Sequence, residues 1–258
     1  MSHRLLSRAA MLAAIALSPA AFAAEKPTIV LVHGAFADAS SWNGVVDILQ
    51  KGGYTVVAAA NPLRSVAGDA AYIGDVLAGI KTPVVLVGHS YGGSVITEAA
   101  EGHDNVRSLV YVAAFSPEVG ESAAGLSSKF PGSTLGPALA PPVSLSGGDK
   151  DLYVQQDKFP AQFAGDVPLK AAKVMAAEQR PITAGALNEA ETAAAWKHIP
   201  SWHIYGTKDK NIPPESMKFM AERAKSKKTV VVDGASHVVM ISHPKQVAEL
   251  IEAAAKGE

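Results

Sequence analysis

Apolar and polar positions follow two patterns along the chain: short continuous apolar runs, and longer stretches with one apolar face. Continuous runs such as residues 83–87 are typical of strands buried on both faces of a sheet. Stretches such as residues 42–51 carry apolar residues at helical spacing. The runs predict six strands, at residues 28–32, 55–59, 83–87, 109–114, 203–205 and 229–232.

Helical stretches separate these strands, at residues 42–51, 69–80, 93–100, 214–224 and 244–255. The alternation predicts an α/β protein with a mostly parallel six-stranded sheet and helices on both faces. The pattern is interrupted between the fourth and fifth strands, where only weak helical stretches near 166–178 and 184–196 remain. We therefore expect a single domain over residues 24–258, with a helical cap insertion at about 117–195.

The first 23 residues have the pattern of a secretory signal peptide. Arg4 and Arg8 precede the apolar run 9–17, and Ala21-Phe22-Ala23 offers a small-x-small cleavage site. An N-terminal core helix is the competing interpretation. The run is too short to cross a bilayer as a helix, which needs about 20 residues. We expect a secreted or periplasmic protein without a membrane span.

Composition excludes several classes of function. Lys and Arg number 23 against 24 Asp and Glu, so the chain lacks the basic surplus of a nucleic-acid-binding protein. The absence of cysteine excludes disulfides, thiolate metal sites and a cysteine nucleophile. The oligomeric state is left open by these data.

The sequence Gly-His-Ser-Tyr-Gly-Gly at 88–93 carries the strongest chemical signal. It fits the G-x-S-x-G pattern, follows an apolar strand and precedes a helical stretch. A serine at such a turn projects above the carboxyl edge of the sheet, next to the amino end of the following helix. Ser90 is therefore predicted to be a nucleophile.

A serine nucleophile needs a histidine base, which follows it late in the chain in this arrangement. His237 lies in a loop after the last predicted strand, at the same sheet edge as Ser90. His243 precedes Pro244 at a helix entry, where capping explains it. His33 and His89 adjoin glycines in tight turns and are expected to be structural. His237 is the predicted base.

The carboxylate that orients the base is expected in a loop after an earlier strand. Asp209 follows the strand at 203–205, before a proline-initiated helix. Glu118, after the previous strand, and Asp233, close to His237 in sequence, are the alternatives. We select Asp209.

Acyl transfer also needs donors for an oxyanion. We predict that the backbone N–H groups of Tyr91 and Ala35 are these donors, with the N–H of Phe36 as the alternative to that of Ala35. Phe36 and Phe115 are the predicted substrate contacts, in a pocket that favours a small to medium apolar group. Further apolar candidates in the insertion are Phe130, Leu152, Tyr153, Phe159, Phe163 and Met175.

From Thr28 to about Ala254 the chain resembles the α/β-hydrolases, and within them small esterases grouped with plant methyl-ester esterases and hydroxynitrile lyases. The stretches VLVHGAF at 30–36, GHSYGG at 88–93, YGTKD at 205–209 and DGASH at 233–237 carry the resemblance. It implies a Ser90–His237–Asp209 triad and an oxyanion hole of Ala35 and Tyr91. It also implies hydrolysis of a small-molecule carboxylic ester through an acyl-enzyme, with no metal or cofactor.

Two departures narrow the chemistry. Val238 stands where the plant hydroxynitrile lyases carry a lysine, which argues against cyanohydrin cleavage. Ser90 argues against dehalogenases and epoxide hydrolases, which use an aspartate nucleophile. Lactonase, amidase or perhydrolase activity on the same triad, and a non-catalytic ligand-binding protein of this fold, remain alternatives.

Overall fold

The apolar runs of the sequence form the strands of one large sheet in the computed structural model, which describes residues 26–258. The predicted signal peptide at 1–23 lies outside the described residues. Nine strands occur in the described part: β1 Thr28–Val32, β2 Val56–Ala59, β3 Val84–His89, β4 Val106–Val112, β5 Val143–Ser144, β6 Lys150–Leu152, β7 Ile182–Thr183, β8 Ser201–Gly206 and β9 Lys228–Val232.

Six of these strands form a parallel sheet in the order β2-β1-β3-β4-β8-β9, which confirms the predicted sheet. Strands β1 and β3 lie in the interior of the sheet and are buried along their whole length. The chain runs outward from β1 to β2 on one side and from β3 to β4 on the other. Ligands bind at such a reversal, beyond the carboxyl ends of the strands. The loops after β1 and β3 meet there.

Helices connect the strands. They are α1 Asn43–Lys51, α2 Val66–Gly79, α3 Gly92–Ala99, α4 Ala123–Ser128, α5 Leu135–Ala138, α6 Phe159–Phe163, α7 Leu169–Glu178, α8 Ala184–Asn188, α9 Pro214–Arg223, α10 Val239–Ser242 and α11 Pro244–Lys256. Helix α1 packs on α11, and α2 packs on α3. Within residues 26–258, none of these helices combines the length and apolarity needed to cross a membrane.

Helix α2 begins three residues earlier than the sequence predicts. The Ser65 hydroxyl accepts a hydrogen bond from the Gly68 N–H, and Ser65 has extended backbone. A serine in this position satisfies a free N–H group of the first turn and fixes the start of the helix.

The insertion between β4 and β8 contains helices α4–α8 and a small antiparallel sheet in the order β5-β6-β7. The sequence does not predict this sheet, because strands of two or three residues are too short to show alternation. The weak stretch near 166–178 forms α7. The stretch near 184–196 is not one helix, since it divides into α8 and a 3₁₀ turn at Ala195–Lys197.

A pair of carboxyl groups joins the end of the insertion to α3. Glu191 is 2% exposed, and neither of its carboxyl oxygens has a hydrogen-bond partner among the described residues 26–258. Burial, together with the neighbouring Glu98, raises the pKa of Glu191 to about 9. Burial acts in the same direction on Glu98, but hydrogen bonds from Thr192 and Ala193 outweigh it and lower the Glu98 pKa. At neutral pH the pair therefore holds one proton, on Glu191.

This proton makes stability depend on pH. Between about pH 5 and pH 9 the folded protein keeps a proton that an unfolded glutamate has released, so the free energy of unfolding falls as pH rises. Glu191→Gln removes this titration and should flatten the decline, as measured by urea denaturation across that range. Glu249→Gln, on an exposed helix face, is the control and should keep the wild-type slope. Equal slopes for wild type and Glu191→Gln would contradict the prediction.

Candidate active site

Ser90 occupies the sharp turn between β3 and α3. Its φ of 54° lies in the left-handed region, which is strained for a residue with a side chain. The turn is closed by the Gly93 N–H, which donates to the Ser90 carbonyl at 2.9 Å. A Cβ on Gly88 would lie 2.5 Å from the Gly92 carbonyl oxygen, so only glycine permits this approach. The turn places Ser90 at the carboxyl edge of the sheet.

His237 and Asp209 form a buried pair. The distance from His237 Nδ1 to Asp209 Oδ2 is 2.6 Å, and the two side chains are 1% and 0% exposed. The other carboxylate oxygen accepts the N–H groups of Asn211 and Ile212 at 2.8 and 3.0 Å. Since a carboxylate only accepts hydrogen bonds, Nδ1 of the neutral imidazole carries the proton. Nε2 is thereby left as a proton acceptor.

Two adjacent strands bring this pair together. Asp209 follows β8 and His237 follows β9, and the loops are in contact where a Cβ on Gly206 would lie 2.1 Å from the Ala235 carbonyl oxygen. The two carboxylates considered as alternatives to Asp209 take other partners. Asp233 accepts the Thr207 hydroxyl at 2.9 Å, and Glu118 pairs with Lys197 at 2.6 Å.

The remaining histidine candidates take other partners. His243 contacts the Ser242 hydroxyl at 2.9 Å and lies 3.6 Å from Asp166. His89 is fully buried, and its ring centroid is 4.8 Å from that of His237. Its Nε2–H donates to the His237 carbonyl at 3.1 Å, which holds the loop of the predicted base. Burial, and next the neighbouring His237, keep the pKa of His89 well below its ordinary value, so His89 stays neutral.

The loop after β1 lies against the Ser90 turn. A Cβ on Gly34 would be 2.6 Å from Ser90 Cβ and 3.1 Å from the Tyr91 nitrogen. His33 fixes this loop, because Nδ1–H donates to the Gly34 carbonyl at 3.0 Å while Nε2 accepts the Asn61 N–H at 3.0 Å. Burial lowers the pKa of His33, which favours this neutral form.

Backbone hydrogen bonding distinguishes the two candidates in this loop. The Phe36 N–H donates to the Arg180 carbonyl at 2.9 Å and is therefore occupied. Within residues 26–258, the Ala35 and Tyr91 N–H groups donate to no protein acceptor. The pattern leaves Ala35 and Tyr91 available to a ligand oxygen.

A cavity of about 460 Å³ opens onto these groups. Ala35, Ser90, Tyr91 and His237 line it, and the remaining wall is mostly apolar. Of the aromatic candidates, four line this cavity: Phe36, Phe115, Phe130 and Phe163. Among residues 26–258, none of those that line it is Asp, Glu, Lys or Arg.

The other predicted apolar contacts lie elsewhere. Leu152, Tyr153 and Phe159 do not line this cavity, and Phe159 instead packs against the ring of Phe163 at 4.8 Å between centroids. Met175 lines a second cavity of about 590 Å³, which shares Phe36 with the first. The apolar pattern of the insertion does not show which of its side chains face the sheet.

Sequence reasoning missed the groups that hold the Asp209 loop. The Gln162 side-chain nitrogen donates to the Lys210 carbonyl at 2.9 Å and to Asn211 Oδ1 at 3.0 Å. The Thr134 N–H also donates to the Lys210 carbonyl, at 2.9 Å. No local pattern marks these residues, because their partners are far away in sequence.

Comparisons with known proteins agree with this architecture. An alpha/beta hydrolase of Aspergillus novofumigatus is 29% identical over 89% of this chain and 97% of its own length. A pyrethroid hydrolase of Sphingobium wenxiniae is 27% identical over 86% of this chain and 85% of its own length. The crystal structure of a methylesterase from Arabidopsis has a TM-score of 0.72 and 18% identity, covering 90% of this chain and 100% of that one.

The likeness to the methylesterase confirms the predicted fold. The profile of the alpha/beta hydrolase family matches residues 29–250, which is most of the chain and includes every predicted site residue. The chain belongs to the alpha/beta hydrolase family.

Proposed function

We propose that the protein is a serine esterase in which Ser90, His237 and Asp209 form a catalytic triad. The buried 2.6 Å hydrogen bond from His237 Nδ1 to Asp209 carries this proposal. It leaves Nε2 as a base in the same cavity that Ser90 lines. Relatives named as esterases, among them a carbendazim hydrolyzing esterase and a methyl ester esterase, favour esters over lactones, amides or peracids.

The geometry supports a two-step mechanism. His237 Nε2 takes the proton of Ser90 as its Oγ attacks the ester carbonyl carbon. The Ala35 and Tyr91 N–H groups hold the oxyanion of the tetrahedral intermediate. The intermediate collapses to an acyl-enzyme as His237 returns the proton to the leaving alcohol. A water molecule then loses a proton to His237 and attacks the acyl carbon. His237 passes this proton to Ser90 Oγ as the acyl–oxygen bond breaks, which releases the acid and restores Ser90.

The cavity wall points to an uncharged substrate. In the part of the chain that the structure describes, its lining residues include no cationic side chain to pair with a carboxylate and no acidic side chain to pair with an amine. Placing an unpaired charge in an apolar cavity is costly. We therefore infer that both the acyl group and the alcohol group are neutral and largely apolar.

Ser90 is tested by covalent labelling. A fluorophosphonate should label the wild type once per chain, as seen by intact-mass spectrometry. Ser90→Ala should abolish labelling and p-nitrophenyl ester turnover, and Asp209→Asn should lower kcat by about 10⁴ through the wrong imidazole tautomer. Ser128→Ala is the matched control, since Ser128 lines the same cavity but donates to the Gly125 carbonyl at 3.0 Å. Tight ligand binding without labelling or turnover would instead support a non-catalytic ligand-binding protein.

Substrate charge is tested with a pair of esters of similar size. The p-nitrophenyl monoester of succinic acid should show a kcat/KM about 100-fold below that of p-nitrophenyl butyrate, because its carboxylate loses its hydration unpaired. Leu187→Arg places a cation on the cavity wall and should narrow this ratio. Comparable rates on the two esters with wild-type enzyme would refute the neutral-substrate inference.

We further propose that residues 1–23 are a cleaved signal peptide and that the enzyme acts outside the cytoplasm. Support comes from Arg4 and Arg8 ahead of the apolar run and from the Ala21-Phe22-Ala23 site. Protein recovered from the periplasm or medium of a bacterial host should have the intact mass of a chain that starts at Ala24. A full-length mass, in a protein found only in the cytoplasm, would overturn this proposal.

A further inference from the structure

We propose that the buried hydrogen bond between the Tyr91 hydroxyl and the Asp69 carboxylate positions the Tyr91 N–H as an oxyanion donor. Asp69 is then a positioning residue for the esterase reaction, although it lies outside the cavity. This inference rests on the proposed function, because it assigns a role to a side chain that supports the proposed oxyanion hole.

Tyr91 is held at both ends. Its backbone lies directly after Ser90 at the start of α3, and its side chain is 0% exposed. The hydroxyl donates to Asp69 Oδ2 at 3.0 Å. A tyrosine side chain has only two flexible torsions, so fixing its far end restrains the backbone from which it projects. The position of the Tyr91 N–H is thus tied to that of Asp69.

Asp69 is buried and committed to these partners. It is 0% exposed in the first turn of α2, and its two carboxylate oxygens accept the Arg64 N–H at 3.1 and 3.2 Å. Burial raises the pKa of Asp69, and the hydrogen bonds from Arg64 and Tyr91 oppose that rise. Leaving a buried carboxylate short of a donor is unfavourable, so Asp69 retains the Tyr91 hydroxyl strongly.

The insertion contacts the segment before α2 that contains Arg64. Arg64 Nη1 pairs with Asp151 at 2.6 Å, and Nη2 donates to the Pro181 carbonyl at 2.7 Å. The Thr183 hydroxyl donates to the Arg64 carbonyl at 2.7 Å. Arg64, whose N–H donates to Asp69, is therefore held by β6, by β7 and by the residue before β7. A continuous set of contacts runs from the cap through Arg64 and Asp69 to Tyr91.

The test compares two tyrosines. Tyr91→Phe removes the hydroxyl that binds Asp69. Tyr111→Phe is the matched control, because Tyr111 is 1% exposed, contacts the Thr97 hydroxyl at 2.8 Å and does not line the cavity. Tyr91→Phe should lower kcat about tenfold with KM within about twofold, since a displaced oxyanion donor weakens transition-state binding. Tyr111→Phe should keep the wild-type kcat, although it should lower the melting temperature by about as much as Tyr91→Phe does.

Asp69 supplies a second, independent comparison. Asp69→Asn keeps an amide oxygen that accepts the Tyr91 hydroxyl, so its kcat should exceed that of Asp69→Ala. The affinity for phenylboronic acid, which forms a tetrahedral adduct with a serine hydroxyl, should fall in parallel with kcat across the series. This comparison decides the question if Tyr91→Phe does not fold.

The outcomes are distinct. Wild-type turnover combined with an unchanged kcat in Tyr91→Phe, or with equal losses of kcat in both tyrosine variants, would overturn the positioning role alone. Equal kcat values for Asp69→Asn and Asp69→Ala would do the same. Absence of ester turnover by the wild type would overturn the proposed function and this role with it.

Discussion

The left-handed backbone at Ser90 is the constraint on which the rest of the site depends. A non-glycine residue in such a conformation costs about 1–3 kcal/mol and persists only where its surroundings fix it. Here the surroundings are close-packed backbones: a Cβ on Gly93 would lie 2.0 Å from the Phe115 carbonyl oxygen, and one on Gly92 would lie 2.5 Å from that of Val32. The central strands of the sheet therefore hold the serine turn, and every other group of the proposed catalytic site is placed relative to it.

Much of this arrangement could be predicted from the sequence, because it depends on local patterns. Buried parallel strands are continuous apolar runs, and residues 84–87 and 109–112 could be identified from this pattern alone. Chain order then placed Ser90, Asp209 and His237 at one edge, since the carboxyl ends of parallel strands share an edge. The structure brings Asp209 and His237 into hydrogen-bond contact across the β8 and β9 loops.

The contacts that hold these groups could not be predicted in the same way. Asp69 meets Tyr91 across 22 positions of sequence, and Gln162 meets Asn211 across 49. Neither pair has a periodic or local signature, and the cap residues are placed by tertiary packing rather than by propensity. The backbone hydrogen bond between Phe36 and Arg180 could not be predicted either. It determines which N–H group of the loop remains available to a ligand oxygen, but nothing near Phe36 in sequence indicates it.

The three buried histidines of the site have different electrostatic roles. His33 donates from one ring nitrogen and accepts at the other, and His89 donates to a backbone carbonyl. Burial lowers the pKa values of both histidines and so keeps them neutral. His237 lies 4.8 Å from His89 between ring centroids and has to become an imidazolium during the proposed reaction. A charged His89 would repel that imidazolium, whereas a neutral one only positions the His237 backbone. Among the described residues 26–258, the Asp209 carboxylate is the one charged group at hydrogen-bonding distance from the His237 ring, so in the proposed reaction it stabilises the imidazolium formed by proton transfer.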